Sequence, residues 1–532
     1  MKENEVISGI LRLLPIDEEQ KNFDSSHLIS YVMRTLSRLV PALWEDFIKF
    51  QGPEKLLKIL EWGLTMNLTS LIVTESLRTI SSIIALQNSP LMTRFKTVGI
   101  ISLFFNFITK ISHLPELPLQ TQTTLTLLLT PLDLLLQADP SPLSTSPPNS
   151  LKIIESLLHR FSHTQDFIID DKLLISLGSY TWTSLMSSPP TLTRFIELGG
   201  TYLILDCLEK SPCLPQVVFL GILSDMCLDP HCIPHLCTWR GLDKSRGLLS
   251  LLSRIWRDEE RRIGVRRTPD GRIQDIELPL MGRAQWRNSF YTKTIESYSP
   301  TMESWLGSAR PKIYSIRKQL LENSEVYERT RDRYKILTDD LHPEDAITLC
   351  IVDQFFRFSR GQVWGEVLRY LKERGVNPLG SDGEMILVVC QRHRECGLYV
   401  RDCQDRLLSE EMLKERRKEV VDIMRIRDAR LTDALEAARG MDLVRRTADR
   451  GYRMRRRNQQ KVEVDGGLKF PGEALGKCHR TYPEGWNVTV ILNQTHTINA
   501  APNFQCDDKI ESVSPGSSTP PISYDFPEDW DY

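Results

Sequence analysis

Three times between Met1 and Leu208 the chain sets an apolar residue four positions before a glycine and then starts an apolar helical run. Ile48 precedes Gly52 and the run Glu54–Leu60. Phe95 precedes Gly99 and Ile100–Phe104. Phe195 precedes the pair Gly199, Gly200 and then Tyr202–Leu208. Gly52 to Gly99 is 47 residues and Gly99 to Gly199 is 100, near twice that interval. A recurring interval of about 40–50 residues with two or three helices in each is the mark of a repeat array. The glycine has a physical job there: it lets a short helix end in a tight turn before the next packs back.

Between these points the apolar residues keep helical spacing. Leu56, Leu57 and Leu60 are followed by Leu68 and Leu71, then by Leu77, Ile80, Ile83 and Ile84. Polar or proline clusters interrupt them at Gln51–Pro53, Asn88–Pro90, Ser187–Pro190 and Asp229–Pro230. One helix pair cannot hide its own apolar face, so neighbouring units must complete the core. We therefore expect an all-α fold, an armadillo/HEAT-like α-solenoid over residues 30–260, with Gly52, Gly99, Gly199 and Gly200 at equivalent turns. An irregular all-helical domain is the alternative. Residues 1–29 read as a helical cap or flexible lead, Phe104, Phe105 and Phe107 as core, and Pro140–Asn149 as an inserted loop.

Charge divides the chain. Residues 1–250 carry 20 basic and 24 acidic side chains, against 47 and 45 over positions 251–532. The first part reads as a packed body and the second as more exposed helices with polar connections. Residues 261–300 read as a linker with an exposed short ribbon, because Asp270-Gly271 sits between branched runs. Helices resume over 301–400 and extend the solenoid, with Leu341–Asp345 as a helix start rich in proline and acid. Residues 401–458 read as one long charged helix, in which Glu411–Arg457 holds 15 basic and 9 acidic residues, a net of +6. Its apolar positions Val420, Met424, Leu431, Ala434, Leu435, Ala438 and Met441 approach a coiled-coil stripe interrupted by Arg427. Such a helix either docks on a filament or partner or is a solvated face. Arg453, Arg455, Arg456 and Arg457 are the candidate protein-binding cluster. Residues 459–532 read as an acidic, proline- and serine-containing tail, unpacked on its own. Trp530 and Tyr532 at its end are candidate docking residues, against the plainer reading of a loose tail.

Cys227, His231, Cys232, His235 and Cys237 supply five ligand-type side chains within eleven residues. Structural zinc sites usually take ligands in two pairs, and no second distant pair is present, so Cys227, Cys232 and Cys237 read as structural thiols around two proline turns. There is no Gly-x-Ser-x-Gly elbow, phosphate loop or His-Glu-x-x-His, and the adjacent carboxylates Glu259, Glu260 and Glu344, Asp345 splay across helix surfaces. We expect no enzyme, cofactor, metal or small-molecule substrate. A net charge of −2 and a basic cluster without interleaved aromatics argue against nucleic acid. The apolar runs Val98–Thr109 and Leu125–Leu136 are too short and interrupted to span a membrane, and no signal-peptide pattern opens the chain. Three Asn-x-Thr triplets, at Asn67, Asn487 and Asn493, are read as chance.

The run Leu223–Gly241, followed by Ile255–Glu260, resembles the armadillo-type cilia- and flagella-associated proteins, specifically the cilia- and flagella-associated protein 69 family of the motile-cilium central apparatus. Leu341–Leu349 and Gly361–Gly365 have the same character. The likeness is carried by Val217–Leu371, and the part of the chain up to Gly200 shares it through repeat style alone. The resemblance implies a non-enzymatic scaffold of the axoneme, active in sperm flagella, in cilium and cytoplasm, whose partners are axonemal or microtubule-associated proteins. A cytosolic armadillo adaptor in trafficking or signalling, or a regulatory subunit of an enzyme, is the rival.

Overall fold

A computed structural model describes residues 5–14, 26–139, 147–163, 169–281, 307–334 and 341–465. Among them the regular structure is helical, apart from one isolated antiparallel bridge between Arg267 and Ile273. Helices α1 (Glu5–Arg12) and α2 (Ser26–Leu39) lead into units of three helices, one short and two longer. The first unit is α3 (Trp44–Lys49), α4 (Gly52–Met66) and α5 (Leu71–Ile84). The second is α6 (Ser89–Val98), α7 (Ile100–Ser112) and α8 (Leu119–Ala138). Of the third, α9 (Pro147–His163) and α10 (Asp171–Met186) are described. The fourth is α11 (Pro189–Glu197), α12 (Gly200–Lys210) and α13 (Cys213–Met226). The fifth begins with a 3₁₀ turn (Pro230–Cys232) and α14 (Ile233–Thr238), then α15 (Leu248–Arg262) and, after an insertion, α16 (Arg310–Glu322). Helices α17 (Ser324–Arg333), α18 (Pro343–Glu373) and α19 (Gly380–Asp465) follow.

The unit starts are written locally. Asn88 and Ser70 accept hydrogen bonds from Leu91 N and Val73 N, capping α6 and α5, and Pro53, Pro90 and Pro189 occupy first turns where a missing N–H costs nothing. The units then stack helix on like helix. The last helices form one ladder, α2, α5, α8, α10, α13 and α16, and the middle helices form another, α4, α7, α9 and α12. Polar contacts across the stack show the period directly. Thr79 Oγ1 to Met33 O, Thr130 to Ser176, Ser179 to Asp133 and Arg160 to Leu114 O each span 46 residues. Lys210 to Ser162 O spans 48. Apolar side chains between the layers form one continuous core running from Ile7 to Val400. This is an armadillo-type α-solenoid, with Phe104 and Phe107 inside it as expected and Phe105 packed at its margin.

The joint between the first two helices of a unit places two demands on adjacent residues. Gly99 and Gly199 lie in the left-handed region, at φ 95° and 84°. In the first unit that position is taken by Gln51, at φ 56°. Four residues earlier in each case stands a fully buried phenylalanine, Phe47, Phe95 or Phe195. The first phrase therefore aligns on Phe47 and Gln51, one position before Ile48 and Gly52. Gly52 is the counterpart of Gly200 instead. A Cβ at either would fall within 3.0 Å of three ring carbons, of Phe47 in one case and Phe195 in the other. Counted at the left-handed position, the repeat therefore runs from Gln51 to Gly99 and then, over two units, from Gly99 to Gly199.

The segment expected to be an exposed linker and ribbon is part of the body over its described residues 263–281. Gly271, at φ 81°, closes a tight turn with Thr268 N donating to Arg272 O at 2.8 Å. The turn matches the Asp270-Gly271 signal and its tip is exposed, but flanking side chains point inward. Val265, Ile273, Leu278 and Leu280 are buried, and the Arg267 guanidinium holds both oxygens of buried Glu260, at 2.7 and 3.0 Å. It is an insertion within the fifth unit. Contacts across it therefore span twice the usual distance: Lys312 to Val217 O and Ser224 to Ser315 span 95 and 91 residues. The long helix also starts earlier than 401, at Gly380, and runs past 458 to Asp465. Its first part is packed: Gln404 Oε1 accepts from Ile273 N at 2.8 Å, and His393 Nε2 donates to Glu277 O at 2.7 Å. The chain divides into two units, Met1–Leu413 and Lys414–Tyr532.

Candidate interaction surfaces

The part Lys414–Tyr532 contributes one described element, the α19 stretch from Lys414 to Asp465, whose side chains as far as Gln460 are exposed almost throughout. Helical periodicity puts Val420, Met424, Leu431, Ala434, Ala438 and Met441 on one stripe at alternating three- and four-residue steps, with Arg427 and Arg445 set into it. Large apolar groups left in water this way, Met441 at 72% and Ile423 at 64% exposure, cost free energy that a partner would recover. Arg453, Arg455, Arg456 and Arg457 occupy the last turns of this stretch, all exposed. Trp530 and Tyr532 lie outside the described residues, as does all of the acidic tail beyond Asp465.

The cysteine and histidine group is spread over a helix end and a turn. Cys227 and Cys232 are buried, and Cys232 contacts the Thr201 hydroxyl. The neighbouring Cys232 and burial hold the Cys227 thiol well above its ordinary value, and so in its neutral form. His231 points to solvent against Asp229, while His235 stacks on Tyr202 at 5.0 Å between ring centroids. Burial lowers the pKa of His235. Apart from the Cys227–Cys232 pair these side chains face different neighbours, and no group of three or more ligand-type side chains converges among the described residues.

Buried ions were the main feature that the sequence did not show. Glu259 accepts from Ala309 N at 2.9 Å and from the Ser308 hydroxyl, and it faces Arg310 at 3.5 Å. Glu260 turns the other way, to Trp256 Nε1 at 2.8 Å and to Arg267. Asp345, in the first turn of α18, takes Arg257 at 2.6 Å and the Ser250 hydroxyl. The adjacent carboxylates do splay: Glu259 and Glu260 fasten the two ends of the insertion to α15, and Asp345 fastens α18 to α15. Two open clefts lie in this part of the body Met1–Leu413. One, of about 230 Å³, is bordered by Cys237, Arg317 and Tyr327. The other, of about 400 Å³, lies between α18 and the start of α19. No helix among the described residues is long and apolar enough to cross a membrane.

A stack of three-helix units, each helix packed on its counterpart in the next, defines a repeat protein of the armadillo class. The family profile described as "Cilia- and flagella-associated protein 69, ARM repeat" matches residues 1–367, and the chain belongs to that family. Curated relatives of that name are 23% identical in Homo sapiens and 24% in Callithrix jacchus, each alignment covering 94% of this chain and 54% of the relative. The Mus musculus relative is 23% identical over 62% of this chain and 34% of its own length. The chain thus spans about half the length of the human and marmoset relatives.

Proposed function

We propose that this protein is a non-enzymatic structural scaffold of the motile cilium or flagellum, working in the axoneme and its central apparatus. The observation that carries this reading is the family match over residues 1–367, whose described helices stack around one shared core. A solenoid presents long faces on which several proteins can seat at once. Its relatives bear the name cilia- and flagella-associated, and that association is extended to this chain by membership. The partners in this reading are axonemal and microtubule-associated proteins.

The α19 stretch is the proposed contact with the filament. Its excess of positive charge suits the acidic surface of tubulin, and exposed charges act through steering and modest contacts that salt screens. Reversing Arg453, Arg455, Arg456 and Arg457 to glutamate should release the full chain from ciliary extract at lower salt than the wild type, with helical content unchanged. Equal retention of both proteins at every salt concentration would remove this helix from the binding surface.

A further inference from the structure

The larger cleft, of about 400 Å³, brings together side chains from two helices that sequence reading kept apart. Arg357 and Arg360 line it from α18, and Arg392, Glu395, Val389 and Tyr399 from α19. All belong to the unit Met1–Leu413. Four buried or half-buried arginines of this region are neutralised: Arg317 by Asp353, Arg257 by Asp345, Arg267 by Glu260 and Arg310 by Glu259. The cleft departs from that pattern. Arg357 donates only to the neutral Gln354 amide, at 3.0 Å. Neither Arg360 nor Arg392 has a hydrogen bond or ion pair among the described residues. The one carboxylate of the wall, Glu395, accepts from Gln391 at 3.2 Å.

We propose that this cleft is a binding site for an acidic peptide segment of a partner protein. Three guanidinium groups around one concavity offer planar forks of N–H donors, the geometry that carboxylates take in pairs of parallel hydrogen bonds. The cleft has the size of a site for several side chains and is much larger than a single anion needs. Its walls are mixed: the Tyr399 ring and Val389 give apolar surface for an anchoring side chain beside the acids. Glu395 adds an acceptor to the wall. Its carboxylate can accept from the backbone N–H groups that every peptide carries, beside acids held by the arginines. Three cations also disfavour a second copy of the same surface. The cleft is distinct from the arginine cluster of the α19 stretch, and the proposal does not depend on the ciliary reading.

The test uses the full chain and a fluorescein-labelled peptide of glutamates flanking one tryptophan, read by fluorescence anisotropy. Arg360→Ala with Arg392→Ala should weaken binding by roughly tenfold, since two charge-assisted contacts are lost. These side chains are exposed, so circular dichroism should be unchanged. Reversal of Arg453, Arg455, Arg456 and Arg457 should leave the affinity as it was, and inorganic phosphate should not displace the peptide beyond the effect of matched ionic strength. Unchanged affinity in the double variant, loss of binding in the Arg453–Arg457 variant, or specific displacement by phosphate would each overturn the proposal.

Discussion

Replacing Gly200 with alanine places a methyl group inside the Phe195 ring. Three ring carbons lie within 3.0 Å of that position, whereas carbon atoms in packed interiors sit about 3.5–4.0 Å apart. Phe195 is fully buried, so the ring has to move against a filled core. Overpacking of this kind costs about 1–3 kcal/mol, and the better helix propensity of alanine returns less than about 1 kcal/mol at a first helical position. The balance is a net loss of about 1–2 kcal/mol. Gly99→Ala is the contrasting case: nothing lies within 4 Å of its Cβ position, and the cost is confined to φ 95°, about 1–2 kcal/mol. The two mechanisms separate in a double-mutant cycle. Phe195→Leu should offset part of the Gly200→Ala loss, whereas Phe95→Leu should add to Gly99→Ala. Urea midpoints, with hydrogen exchange over Pro189–Lys210 and Ser89–Ser112, supply the readout. A neutral Gly200→Ala, or strict additivity with Phe195→Leu, would refute the steric account of the joint.

Gln51→Gly should raise stability by up to about 1 kcal/mol, because a side chain at φ 56° is relieved, and a loss in the urea midpoint would contradict this. Arg310→Met should cost about 3 kcal/mol by leaving Glu259 buried without its cation, and hydrogen exchange should rise over Leu248–Arg262 first. Burial holds His393 and His235 below the ordinary imidazole value of 6.5. The unfolded chain therefore takes up protons that the folded chain refuses. Their contribution is complete above about pH 6.5 and is lost as pH falls from there toward the folded values. The thermal midpoint should drop between about pH 7 and pH 5, less steeply in His393→Gln, and a flat profile would exclude these imidazoles as the cause.

The repeat was legible because its joint constrains side chains that lie close in sequence. Phe95 with Gly99, and Phe195 with Gly199 and Gly200, stand out as local patterns. The first joint was read one residue late for a physical reason: Gln51 in the left-handed region carries no signal in its identity, while the neighbouring Gly52, needed for ring clearance, looks like the turn residue. Helix starts such as Pro343–Asp345 could be placed, but the partner of Asp345 could not, since Arg257 is 88 residues away. The same holds for the inward face of the insertion, where Ile273 N meets Gln404 across 131 residues. Arg357, Arg360 and Arg392 look like ordinary solvated helix charges in sequence, and only the pairing of α18 with the packed start of α19 gathers them into a cleft.

The central claim is a place in the axoneme. It is tested most directly by tagging the full chain at its endogenous locus in ciliated or sperm cells and imaging demembranated axonemes by super-resolution microscopy. The account predicts signal that survives detergent extraction and runs along the axis at the position of the central microtubule pair. Complete release of the protein with the soluble fraction, with no axonemal signal, would contradict it.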